Sequence, residues 1–277
     1  MGLIYALMAM GFILIVRAVG FVNFAQGELL MVGAYVTFMT ISQFKLPFFA
    51  AIILAVIILA AFAVLFMFST YWPLRKATWD ITFVISTLGA SMVLKELVRF
   101  IWGSVPLRAE PLVEGILKVG DVVLDYQFLY IIAISLILIG LVFFLFEGTF
   151  LGRALQAAAQ DQYAASLIGI PVILTIALTF IISTLLAGVG GFLFSPIFFV
   201  STSIGSSGLK AFAGLIIGGY GSVKGALIGA LFVGIIEAFS AVYLSTTYKD
   251  AIVFLILIIV LAIRPQGLFG EKIAEKA

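Results

Sequence analysis

The sequence predicts an all-α polytopic membrane protein with about 8–9 transmembrane helices, including a broken, short helix pair near 208–243. Three observations carry this. Of 277 residues, 64% are hydrophobic and only 10% charged, against roughly 25% charged in soluble domains. The mean hydropathy is +1.32. Apolar runs of about 20 residues, the length a helix needs to cross a bilayer, recur along the whole chain. The longest polar interruption is a loop of roughly 24 residues at 103–126, too short for a separate soluble domain. Residues 1–277 therefore read as a single transmembrane domain.

Composition also excludes chemistry. The chain has no Cys and no His, so disulfides, thiol nucleophiles, imidazole bases and His-ligated metals are absent. No catalytic or metal site is expected. The net charge of +2 gives no reason to expect nucleic acid. No Gly-x-x-x-x-Gly-Lys-Ser/Thr loop occurs, so P-loop ATP hydrolysis is not a property of this chain.

The expected spans lie at roughly 2–20, 27–44, 48–70, 81–102, 127–147, 171–195 and 249–264. The first has no positive stretch ahead of its apolar run and reads as a span rather than a signal peptide. Position 6 is Ala6, so the myristoylation pattern is missing. The stretch 205–243 is too long for one span and is cut by Gly218, Gly219, Gly221 and Gly225. It reads as a short helix to about Tyr220, a turn at Gly221–Ser222, and a second helix from about Gly225 to Tyr243. The total is about nine crossings, or seven with a re-entrant hairpin.

Positive charge sets the orientation. With 152–170 in the cytoplasm, that side receives Arg17, Arg75, Lys76, Arg153, Lys224, Arg264, Lys272 and Lys276. The outside receives Lys45, Arg108, Lys118, Lys210 and Lys249, and the loop acids Glu110, Glu114, Asp121 and Asp125. The N-terminus is then outside and the C-terminus cytoplasmic. At the last span's end Pro265 and Gly267 stop the helix and Arg264 anchors it.

One polar, Ala-rich stretch interrupts the greasy pattern, from Gly152 to Ile170. Its residues are strong helix formers, and one helix over about 152–168 is expected, opened by Gly152 and closed by Gly169 and Pro171. Arg153, Gln156, Gln160 and Tyr163 fall near one face, while Ala154, Leu155, Ala158, Ala165 and Leu167 make a small apolar surface. The pattern fits either a helix resting on the membrane surface or one that docks a partner protein.

Three membrane stretches carry polar groups, and polar groups at membrane depth are costly unless partnered. In Phe21–Tyr35, Asn23, Phe24, Gln26 and Glu28 are candidates for a substrate path. The structural alternative is helix capping by Asn23, with Glu28 near the positive helix end. In Ile85–Gly103, Ser86, Thr87 and Ser91 lie among small residues that favour close helix approach, with Lys95 and Arg99 four apart. They suit a pore wall, or packing plus a snorkelling basic pair. In Leu209–Glu237, Gly218, Gly219 and Gly221 mark a broken helix pair of the kind that lines transport paths. Glu237 stands inside an apolar helix, as a path residue or as one satisfied by an interhelix hydrogen bond.

These strings resemble one family in order along nearly the whole chain. Gly152-Arg153-Ala154, Asp161 and Leu167-Ile168-Gly169-Ile170 are similar to the cytoplasmic loop of ABC (ATP-binding-cassette) importer permeases, with less charge at Ala157–Gln160. Asn23-Phe24-Ala25-Gln26-Gly27-Glu28 resembles the Asn-Phe-Ala-His-Gly-Glu signature of permeases for branched-chain amino acids (high-affinity leucine/isoleucine/valine), Gln26 standing for the His. Leu209-Lys210-Ala211-Phe212, Gly218-Gly219-Tyr220-Gly221-Ser222 and Ile235-Ile236-Glu237-Ala238 resemble a second signature, with Lys224 where Pro is common. Lys95 stands where an amide is more frequent.

The resemblance implies the ABC importer permease fold and a permease subunit that moves branched-chain or hydrophobic amino acids by alternating access across a bacterial or archaeal cytoplasmic (inner) membrane. It implies that Gly152, Arg153, Ala154, Gln156, Ala157, Gln160, Asp161 and Gly169 form the helix that couples to an ATPase. The implied partners are a second homologous permease subunit in a heterodimer, two ATP-binding-cassette ATPases, an external substrate-binding protein and membrane lipid. ATP and Mg would sit on the ATPases, with no cofactor in this chain. Permeases for urea, short amides or aromatic amino acids in the same family are alternatives. An ion-coupled secondary transporter using Glu28 and Glu237 is an alternative of another class.

Overall fold

The computed structural model describes residues 1–75, 77, 79, 81–111, 115–119 and 122–269. Lys76, Glu114, Asp121, Lys272 and Lys276, used above to orient the chain, lie outside the described residues, as does Gly270.

The apolar runs become helices close to their expected positions. The chain forms α1 (Gly2–Val19), α2 (Gln26–Thr37), α3 (Phe48–Thr70), α4 (Ile81–Trp102), α5 (Tyr126–Gly148), α6 (Phe150–Gln160), α7 (Gln162–Leu167), α8 (Val172–Phe194), α9 (Ser207–Gly218), α10 (Val223–Phe239) and α11 (Lys249–Ile263). Among the described residues α1, α3, α4, α5, α8 and α10 are long and apolar enough to cross a membrane. The shorter α2 gains a π-helical turn at Phe38–Gln43, and α10 is likewise extended by Ser240–Leu244.

The span expected at 27–44 is therefore a shorter α-helix finished by a π turn. The outer loop also carries a small antiparallel hairpin, β1 (Ile116–Val119) with β2 (Val122–Asp125). Leu107 of the same loop pairs with Val200, just past α8.

Burial separates an inner group of helices from an outer one. Every residue of α1 from Ile4 to Val16 is buried, and this helix packs against α8, α9 and α10. α2 packs against α8. A Cβ on Gly33 would stand 2.2 Å from the Gly188 carbonyl oxygen, so that crossing brings backbones together as small-residue seams in membranes do. Around this centre α3, α4, α5 and α11 bury one side and expose large apolar side chains on the other, such as Phe49, Phe100 and Phe144. Hydrocarbon is the solvent in which such faces carry no penalty.

The broken pair is a tight helical hairpin. α9 ends at Gly218 and α10 starts at Val223, a few residues from the expected limits. Gly219 and Gly221 hold positive φ in the turn. Along the seam a Cβ on Gly218 would lie 1.9 Å from the Gly225 oxygen and one on Gly229 2.1 Å from the Gly214 oxygen. The last carbonyls of α9 are not left open: Ile217 and Gly218 accept from the backbone N–H groups of Leu268 and Phe269.

Candidate functional site

At one end of the bundle lies the loop between α5 and α8. Sequence reasoning expects one helix here, and the chain forms two. Asp161 takes an extended conformation (φ −152°, ψ 107°). Its carboxylate accepts from the N–H groups of Tyr163 and Ala164 at 2.8 and 2.9 Å, capping α7 as Asp side chains do. Helix propensity alone is not decisive where a capping side chain offers the backbone another partner.

The loop also opens earlier than Gly152. Thr149 caps α6, accepting from Gly152 N–H at 3.1 Å and donating to the Leu145 carbonyl. Gly152 has a different task. A Cβ there would stand 2.1 Å from the Leu145 oxygen, so the glycine lets α6 rest on the end of α5.

The loop's side chains divide into two sets. Leu155, Ala158 and Ala165 are buried against the bundle. Gln156, expected on the docking face, instead donates to the Phe146 carbonyl at 2.6 Å. Ala154 and Ala157 are half-buried; Arg153, Gln160, Asp161 and Gly169 are exposed. Tyr163, Leu167 and Ile168 are at least 70% exposed and form an apolar surface on the outer side of the loop. Ile168 belongs to the closing string quoted above but to neither helical face assigned there, because it sits in the closing turn, where helical periodicity no longer applies.

Two further side chains lock this end together. Gln162 donates to the Ala18 carbonyl at the end of α1. Arg17 donates through Nε and Nη2 to the Gly221 carbonyl in the α9–α10 turn.

Inside the bundle the polar residues fall into three separate places. Asn23 and Gln26 are fully buried. Gln26 donates to the oxygens of Ser183, whose hydroxyl donates to the Gly11 carbonyl at 2.9 Å. Asn23 does not cap α2; Ala25 holds that position, and Asn23 accepts from Ala25 N–H in a local turn. This network joins α1, α2 and α8 through side chains already partnered by protein.

The second place is a cavity of about 280 Å³ lined by Phe24 and Glu28, by Ser91 and Lys95 of α4, and by residues of α1 and α9. Thr87 accepts from Phe24 N–H at its edge. Ser86 points away, donating to the Thr70 carbonyl of α3. Gly89, expected to admit a close neighbour, has nothing within 4 Å of an added Cβ, because α4 lies on the periphery.

The third place is Glu237. Tyr5 donates to it at 2.5 Å, and Lys210 and Lys249 pair with it at 2.6 and 3.0 Å. Lys210 also pairs with Asp250 at 2.7 Å. Glu237 thus ties α1, α9, α10 and α11 together at the end opposite the α6–α7 loop. Its partners come from positions 5, 210 and 249, and no local pattern announces them. Gly218, Gly219 and Gly221 belong to the α9–α10 hairpin, remote from both Glu28 and Glu237 in the chain's fold.

A bundle of this kind, with an inner set of glycine-packed helices, polar groups buried between them and a two-helix loop that offers apolar side chains at one end, defines a multi-pass membrane permease. The comparisons make the assignment specific. Residues 1–261 match the family described as branched-chain amino acid transport system / permease component, and the chain belongs to that family.

The chain is 36% identical to the high-affinity branched-chain amino acid transport system permease protein LivH of Salmonella typhimurium, over 100% of this chain and 94% of that protein. It is 34% identical to BraD of Pseudomonas aeruginosa, a permease protein of the same description, over 99% and 94%. It is 29% identical to the probable branched-chain amino acid transport permease protein LivH of Methanocaldococcus jannaschii, over 95% and 88%. No solved structure matches the chain significantly.

Proposed function

We infer that this chain is the membrane-spanning permease subunit of an ATP-driven importer, and that it passes branched-chain and other hydrophobic amino acids inward across a cytoplasmic membrane. Its near full-length likeness to permeases of that description supports the cargo. The observation that carries the ATP-driven mechanism is the α6–α7 loop. Its inner side is fastened to α5 and α1, and its outer side presents Arg153, Gln160, Tyr163, Leu167 and Ile168. A transporter that runs on an ion gradient has no use for such a surface. A cytoplasmic ATPase does, because ATP binding must be converted into movement of the spans. This chain has no P-loop, so hydrolysis falls to two cassette ATPases. A second, homologous permease and an external binding protein complete the machine.

On this reading α6–α7 and the α9–α10 turn face the cytoplasm, and the β1–β2 hairpin and the Glu237 cluster face outward. ATP binding closes the ATPases, displaces the loop and biases the bundle between two states of access. Arg153→Glu tests the coupling. The complex bearing it is expected to assemble and hydrolyse ATP while substrate uptake falls at least about tenfold, as measured in proteoliposomes. Uptake at the wild-type rate would remove the coupling role from this loop.

A further inference from the structure

Among the described residues two acids, Glu28 and Glu237, are buried in the bundle, and their surroundings are opposite. Glu237 is saturated by Tyr5, Lys210 and Lys249. Glu28 lies on the wall of the 280 Å³ cavity, its carboxylate beside Gly205 and Ser91. Lys95 lines the same cavity, yet among the described residues no ion pair within 4 Å and no hydrogen bond engages its ammonium. Leu88, Ser91 and Lys95 fall at i, i+3 and i+7 on α4, so one helix face brings all three to the cavity. On the other side are three rings. Phe24 lies 5.6 Å and Phe12 5.8 Å from Phe212 between centroids, and all three line the cavity.

The result is a small chamber with a buried acid, a lysine that lies beyond ion-pair distance from it but near enough to feel its charge, and an aromatic wall. Its volume is near the lower end of ligand-binding pockets. Glu28 is buried and Lys95 half-buried, and two unlike charges that line one cavity without touching leave room for a group that bridges them. A zwitterion with a greasy substituent does so at both ends. Building on the importer function inferred above, we propose that this cavity is a substrate-recognition station within the permease for α-amino acids with apolar side chains. Glu28 takes the ammonium, Lys95 the carboxylate, and Phe12, Phe24 and Phe212 the side chain. Ser91 orients Glu28. A neutral cargo such as urea or a short amide gains nothing from a pair of unlike charges. The chamber therefore gives the permease its own selectivity, in addition to that of any external binding protein.

The test uses the complete transporter, purified with its partner subunits and held in nanodiscs without binding protein. Binding of radiolabelled leucine up to millimolar concentration is competed with leucinol, which lacks the carboxylate, and with 4-methylpentanoate, which lacks the ammonium. The wild type is expected to bind leucine and to take either analogue about tenfold or more weakly. Lys95→Gln should weaken leucine about tenfold while leaving leucinol unchanged, and Lys95→Arg should restore leucine. Glu28→Gln should weaken leucine similarly while leaving 4-methylpentanoate unchanged. This charge-matched pattern is not produced by a general loss of packing.

Uptake by the same complex, reconstituted with its binding protein, separates the two readings. Leucine uptake with no leucine binding by the wild type, or with binding unaltered in both variants or not restored by Lys95→Arg, overturns the chamber and leaves the importer standing. Uptake of urea or amides with no amino acid carried removes the amino-acid cargo inferred above, and the chamber with it.

Discussion

Among single residues, Glu237 shows how a charge survives inside this bundle. It is almost fully buried, and three donors from three other helices surround it. Removing one partner of a buried pair leaves the remaining charges uncompensated, at about 3–5 kcal/mol. Glu237→Ala is therefore expected to lower the melting temperature of the purified complex sharply. Tyr5→Phe, which removes one hydrogen bond to a charged acceptor, should cost about 1.5–3 kcal/mol. In both variants the order of preference among leucine, isoleucine and valine should stay as in the wild type. A selective shift in that order would place Glu237 on the substrate route. The sequence marks Glu237 as costly but does not say whether it is satisfied. Its partners are up to 232 positions away, and only the packing of α1 and α9 on α10 brings them together.

At the scale of elements, the long spans were legible because hydrophobic length alone specifies them. The α9–α10 hairpin was legible too, because four glycines interrupt an apolar run that is otherwise too long for one helix. Adding bulk there should be severe. Gly218→Leu would place a side chain where even a Cβ meets the Gly225 oxygen at 1.9 Å, and the chain is expected to fail to accumulate in the membrane, read by immunoblot of membrane fractions. The break between α6 and α7 was not legible from propensity. Ala, Gln and Leu argue for continuity, and one capping aspartate overrides them. Asp161→Ala should cost about 1 kcal/mol, small beside the whole fold. It should nonetheless loosen α7 and reduce uptake while leaving the spans folded, which limited proteolysis of the loop would report.

For the molecule as a whole, the inner helices carry most of the buried polar groups, and the outer ones turn apolar side chains outward. That division follows from elementary solvation: a bilayer tolerates apolar exposure and forbids unpartnered polar groups. Which outward face meets lipid and which would meet the second permease inferred above is not written in hydropathy, because both are apolar surroundings. Gentle purification from the native membrane should recover this chain with two P-loop ATPases and a similar permease. Recovery of the chain alone, still able to move substrate, would contradict the assembly. The candidate path residues were only partly legible for a related reason. Asn23, Gln26, Glu28 and Ser91 look equally polar in sequence. The fold commits the first two to a sealed network and opens the last two onto a cavity.

The α6–α7 loop sits tightly on its supports. With Gly152 flush against the Leu145 and Phe146 backbone and Gln162 clipped to the end of α1, it works as a crank rather than a spring. Close-packed interiors compress little and pass strain onward. A push on Tyr163 or Leu167 by the ATPase inferred above would therefore be passed on to α1 and α5. The 18 residues of α1 make an arm of about 27 Å. A tilt of a few degrees at its lower end thus becomes a stroke of an ångström or more at Tyr5, where four helices share one carboxylate.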